Sequence, residues 1–252
     1  IVDAGATLGE GPIWDEANRV LYWLDIESSE LHEFDPATGE DRFWNLGQQI
    51  GTVVPCQSGG VMLALHEGFA HFDTDTEKLT LINNPEAHMP TTRFNDGKCD
   101  PAGRFWAGTL SMENEGNIAS LYMMAGDRSV RRMLGDITCS NGINWSPDNK
   151  TMYYIDTPTH KVDAFDYDIE TGNISNRRPV IEMPVEIGYP DGMTIDTEGM
   201  LWIAPWGAGK VIRCNPKTGE YLAAVPCRAL QTTACAFGGP DLRDLYITTA
   251  AV

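Results

Sequence analysis

The chain is short of several things. No apolar run in its 252 residues approaches the ~20 needed to cross a bilayer as a helix, so no membrane span is expected. Basic residues are scarce: 18 Lys and Arg stand against 36 Asp and Glu, a formal net charge of −18 that repels nucleic acid and keeps an acidic surface soluble. The six cysteines form no C-x-x-C pair, mostly take apolar positions in strand-like segments, and are expected as reduced thiols in a cytoplasmic compartment. The chain begins at Ile1, which leaves room for a removed leader. There is no G-x-S-x-G elbow and no low-complexity tract. The GAGK stretch at 207–210 lacks the earlier glycine and the following hydroxyl of a P-loop, with Ala204 and Val211 in those places. His66 and His71 stand five apart around Gly68, not four apart as on a helical zinc face.

What the chain has is a repeat. PIWDEANRVLYWLDI, VPCQSGGVMLAL, GKCDPAGRFWAGT, INWSPDNKTMYYID, MTIDTEGMLWIA and CAFGGPDLRDLYIT each read as strand, tight turn, strand. The last apolar residues before the turns are Trp14, Cys56, Cys99, Trp145, Ile195 and Phe237, spaced by 42, 43, 46, 50 and 42. Periods of this size, with β-branched and aromatic alternation and Gly, Asp, Asn and Pro turns, predict propeller blades. FDPATGE, FDTDTEK, YDIETGN and CNPKTGE recur as a second turn, where Asx chemistry opens and glycine closes a hairpin between the outer strands. The expectation is an all-β, single-domain, six-bladed β-propeller over 1–252, with four-stranded antiparallel blades around a central metal-binding channel. Its sixth blade is expected to be incomplete at the C-terminus, with 1–7 closing that blade as an outer strand.

Four residues before each landmark stand Glu10, Thr52, Asn95, Asn141, Asp191 and Thr233, every one bearing a side-chain oxygen. Radial blades turn equivalent positions into a ring at the channel mouth. Two carboxylates brought together there must share protons or a cation. Glu10 and Asp191 match the charge of a divalent ion, Asn141 and Asn95 add neutral oxygens, and an all-oxygen set suits Ca²⁺, Mg²⁺ or Mn²⁺, with Zn²⁺ open through its carboxylate chemistry. The alternative for such a ring is polar side chains that only hold water.

LGEGPIW, RFNDGKCDPAGRFWAGT, SNGINWS, VDAFDYDIETGNISNRR, PDGMTIDTEGMLWIA and GKVIRCNPKTG together resemble the senescence marker protein, regucalcin and gluconolactonase family of six-bladed propellers along nearly the whole chain. The resemblance implies a metal-dependent hydrolase of sugar lactones, with one divalent ion, Ca²⁺ foremost, held by Glu10, Asn141 and Asp191. It also implies substrate contacts from Arg93 and Asn95, with Asp96 beside them. Three protein ligands leave positions open for a lactone carbonyl and a water, and Asp191 is the candidate base for that water. For Arg93 the competing role is an ion pair with Asp96. An acid near the substrate is expected in LSMENEGNIAS, where Glu113 and Glu115 stand equal; Trp206, Met89 and His88 are candidates for the mouth. The expected partner is a small-molecule sugar lactone, with no nucleic acid, membrane or obligate protein partner. Two other functions fit the same ring: hydrolysis of organophosphates or other esters, and a non-enzymatic calcium-binding scaffold.

Overall fold

A computed structural model describes residues 1–251. Five of the six repeats form four-stranded antiparallel sheets in simple meander order, spanning 9–45, 50–83, 92–137, 140–182 and 189–226. The sixth repeat differs: Gln231–Gly238 pairs with Asp244–Ala250 in a two-stranded sheet. The expected six four-stranded blades are thus five four-stranded blades and one two-stranded sheet. Among the described residues two 3-10 turns of three residues each are the only helical segments, and neither is long and apolar enough to cross a membrane.

Residues 1–7 do not form the expected outer strand. Their backbone link to the sixth sheet is a hydrogen bond from the Ala251 amide to the Thr7 carbonyl, next to a bridge between Leu8 and Ala250, while Ala6 packs against a cluster that includes Tyr246. The cause is local: the Asp25 carboxylate accepts from the Thr7 and Leu8 amides at 2.9 and 3.0 Å, taking the donors that a strand would spend on its ladder.

Sequence sorts strands by depth within each blade. Second strands such as Val20–Asp25 are buried throughout, because neighbouring blades cover both faces. Fourth strands such as Glu40–Asn45 and Lys78–Asn83 are mostly exposed. Apolar clusters lie between blades, as where Trp106, Leu121 and Met123 meet Ile143, Trp145 and Tyr154. The turn aspartates hold these seams: Asp100 Oδ2 accepts from Trp106 Nε1, Arg104 Nε and, across to the next blade, the Tyr167 hydroxyl.

All six cysteines are free thiols. The GAGK stretch is a hairpin turn between Leu201–Trp206 and Lys210–Cys214. His66 and His71 rest their ring nitrogens near the Pro90 and Gly59 carbonyls, far from a shared zinc face.

Candidate active site

The innermost strands are Gly9–Asp15, Ile50–Pro55, Thr92–Cys99, Ser140–Trp145, Tyr189–Ile195 and Gln231–Gly238. Each breaks register with its neighbour at or beside the predicted ring position, between Glu10 and Ile13, Ile50 and Thr52, Phe94 and Gly97, Asn141 and Ile143, Pro190 and Met193, and Thr232 and Cys235. A bulge re-aims a side chain out of the pleat, and here it does so six times in one register. Glycine permits the crowding: a Cβ on Gly142 would lie 2.7 Å from Met193 Cγ and 2.8 Å from the Asp191 carbonyl oxygen.

All six ring residues are buried, but they spend their polar atoms differently. Thr52 Oγ1 donates to the Gly97 carbonyl of the next blade at 3.0 Å, and Thr233 Oγ1 donates to the Gly9 carbonyl, closing the circle between the sixth repeat and the first. Asn95 Nδ2 donates to the Ser140 carbonyl at 2.8 Å and to Asn141 Oδ1 at 3.2 Å. Asn141 Nδ2 donates in turn to Thr157 Oγ1 at 2.8 Å. Among the described residues Glu10 Oε2 accepts only from its neighbour's amide, Gly11, at 2.9 Å.

Glu10, Asp96 and Asp191 form one electrostatic group. Burial and then the Asp96 charge push Glu10 up from 4.5 to about 8, against the weaker pull of the Gly11 amide and Arg93. Asp191 is raised well above the carboxylate range by burial first, then by the Glu10 and Asp96 charges. No basic side chain among the described residues lies within 4.0 Å of Glu10, Asp96 or Asp191. Burial and the Asp191 charge also push the Cys139 thiol up to about 12, so it is protonated and no nucleophile.

Arg93 is buried beside this group. Its Nη1 donates to the Phe94 carbonyl and to Asn95 Oδ1, both at 2.9 Å, while Nη2 and Nε have no protein partner among the described residues. The alternative ion pair with Asp96 does not form. Asp96 instead lines a cavity of about one water's size with Thr52, Gly97, Lys98, Met193 and Cys235, where Lys98 Nζ donates to the Met193 carbonyl at 3.2 Å. Lys98 was not a sequence candidate; its alternation with Asp96 on one inner strand was the available signal. Thr157 was missed as well, since it lies outside the ring register, two residues past the partner of Asn141 in the second strand.

At the mouth, Glu113 and Glu115 are both exposed, their amides held by Ser111 Oγ, and neither carboxylate is drawn inward by a hydrogen bond. His88 is exposed and Met89 half-buried in the loop before Thr92, while Trp206 pairs with Tyr189 at the edge of the fifth blade. Among the described residues no three His, Cys, Asp or Glu side chains converge as a metal cluster. An ion here would need the Asn141 amide oxygen besides the carboxylates of Glu10 and Asp191. That donor set is all oxygen, and two buried acids without a cation fit a hard divalent ion.

Residues 8–251 match the family model described as SMP-30/Gluconolactonase/LRE-like region. Regucalcin of Danio rerio is 43% identical over 247 residues, 97% of this chain and 83% of the relative. The Bacillus subtilis (strain 168) protein named "Putative sugar lactone lactonase YvrE" is 41% identical over 248 residues, 98% of this chain and 85% of the relative. A solved structure of a calcium-binding protein, regucalcin, from Agrobacterium tumefaciens superposes with a TM-score of 0.95 at 32% identity, covering 99% of this chain and 84% of that one. The chain belongs to the SMP-30/gluconolactonase/LRE-like family.

Proposed function

We propose that this protein hydrolyses sugar lactones with one divalent cation held by Glu10, Asn141 and Asp191. Family membership supports a lactonase. The observation that carries the finer reading is the pair of buried carboxylates raised by burial and by neighbouring acids in one ring, with no basic side chain within 4.0 Å of either among the described residues. When bound, a divalent cation supplies Lewis acidity towards a carbonyl oxygen and lowers the pKa of water.

The residues of the chain then divide the work. Asp191, ionised once a cation offsets its charge, accepts the proton of the attacking water. Arg93 turns its free Nη2 and Nε to the substrate, orienting sugar hydroxyls and steadying the negative charge that develops on the carbonyl oxygen. Asn95 pins Arg93 through Oδ1, whose second lone pair is left for a substrate hydroxyl. Asp96 faces the small cavity, and its contribution is the negative potential that keeps Glu10 and Asp191 from ionising without a cation.

The resident ion is proposed as Ca²⁺, with Zn²⁺, Mn²⁺ and Mg²⁺ as competitors. The calcium-binding relative favours one second reading, a calcium-binding propeller without turnover. Proton release from an aldonolactone decides between them, measured across these four ions with a chelated control. The lactonase reading requires release that stops with chelator and returns with metal. Calcium binding without any lactone turnover would leave the scaffold.

A further inference from the structure

Across the third, fourth and fifth blades the polar groups of the site form one directed chain. Arg93 Nη1 donates to Asn95 Oδ1 at 2.9 Å, and Asn95 Nδ2 donates to Asn141 Oδ1 at 3.2 Å. Asn141 Nδ2 then donates to Thr157 Oγ1, and Thr157 Oγ1 to the Pro190 carbonyl, each at 2.8 Å. Its direction is set by its ends. A guanidinium can only donate and a carbonyl can only accept, so each amide between them has one orientation that satisfies both neighbours. Reversing Asn141 would set its NH₂ against the Asn95 NH₂ and put an acceptor where the Thr157 hydroxyl already needs its proton for Pro190.

We propose that Thr157 is a positioning residue: its hydroxyl fixes the Asn141 amide with Oδ1 towards the channel and, through Pro190, anchors the peptide leading into Asp191. This rests on the reading of Asn141 and Asp191 as ligands of a divalent cation. Thr157 belongs to the 3-10 turn Thr157–Thr159 after the second strand of the fourth blade, half-buried, and its own amide is held by the Cys139 carbonyl at 3.1 Å. Among the described residues the only other hydrogen-bond partner of Asn141 Nδ2 is Cys139 Sγ at 3.8 Å, a weak acceptor that cannot replace the hydroxyl. Groups that orient a ligand from behind typically matter by ~10–100-fold in metal affinity.

The test is a calorimetric titration of Ca²⁺ into the full chain, with melting followed in chelator. Thr157→Val keeps the shape and removes the hydroxyl; it is expected to bind ~10–100-fold more weakly than the wild type. Thr157→Ser, which restores the donor and acceptor, is expected to bind within a few-fold of the wild type. If Thr157→Val does not fold, Thr157→Ala is read the same way. Unchanged affinity in the hydroxyl-free variant, or a serine variant as weak as the valine, overturns the proposal. A hydroxyl-free variant that melts earlier in chelator but binds normally overturns it too, since the role is then structural only. A wild type that binds none of Ca²⁺, Mn²⁺, Mg²⁺ or Zn²⁺ overturns the metal reading and this proposal together, whereas binding that the variants retain overturns this proposal alone.

Discussion

Thr52 and Thr233 occupy the same register, the same kind of bulge and the same depth as Glu10 and Asp191. Exposure does not separate them, at 1% and 0% for the threonines against 9% and 7% for the acids. What separates them is where the polar atoms go. Each threonine hydroxyl ends on a carbonyl of the neighbouring blade, so that part of the ring is a clasp. The acids make no such bridge, and both are destabilised by burial and by the Asp96 charge, Asp191 also by the charge of Glu10. A fold that can seal its channel with threonine has no packing reason to bury two carboxylates there. Uncompensated polar groups of this kind mark the arc where stability is given up for function.

Substitution at Asp191 attacks that contrast hardest. Asp191→Asn keeps the shape but removes one charge and the proposed base, so lactone hydrolysis is expected to fall by ~10³-fold or more. In chelator near neutral pH the same variant should melt later than the wild type, because a buried acid that must take up a proton on folding is gone. Full activity, or a destabilised metal-free protein, would erase the distinction between the two arcs.

The next effect is a pH dependence with an unusual sign. Glu10 titrates at about 8 in the folded protein against 4.5 ordinarily, so between these values the folded state holds a proton that the unfolded state has released. Its contribution is fully present below pH 4.5 and is lost as the pH rises towards 8. Metal-free protein should therefore lose stability in denaturant titrations across that window, and Asp191, raised in the same direction, steepens the loss. Glu10→Gln should flatten the slope, and a bound divalent ion should reverse it by favouring the ionised pair. Stability that climbs with pH in the presence of chelator would contradict the buried-acid account.

Much of this was legible in the sequence. The six-fold register found every ring position, because a bulge and a sharp turn leave a fixed count between side chain and landmark in each repeat. Two things were not legible. The fate of residues 1–7 depends on Asp25, whose carboxylate competes for backbone donors in a way that strand alternation does not reveal. The roles of Thr157 and Lys98 depend on contacts between strands or blades at separations of 16 residues or more, outside the repeat that made the ring visible. The register also could not distinguish a threonine that clasps from an aspartate that stays unpaired, since both present an oxygen at the same place.

The smallest expected effect tests the clasp itself. Thr233→Val leaves the Gly9 carbonyl without its donor and Thr248 Oγ1 without a near neighbour at 2.9 Å, while adding no bulk. A neutral hydrogen bond lost inside the protein costs about 1 kcal/mol, somewhat more when a buried partner is stranded. Thr52→Val, which strands the Gly97 carbonyl, belongs to the same class. Both should lower the denaturation midpoint modestly and leave kcat/KM for a lactone within about twofold, since neither group is proposed to touch substrate or metal. If Thr233→Val instead removed activity while barely changing stability, the ring would be functional all the way round. The line between the clasp and the acids would then have to be redrawn.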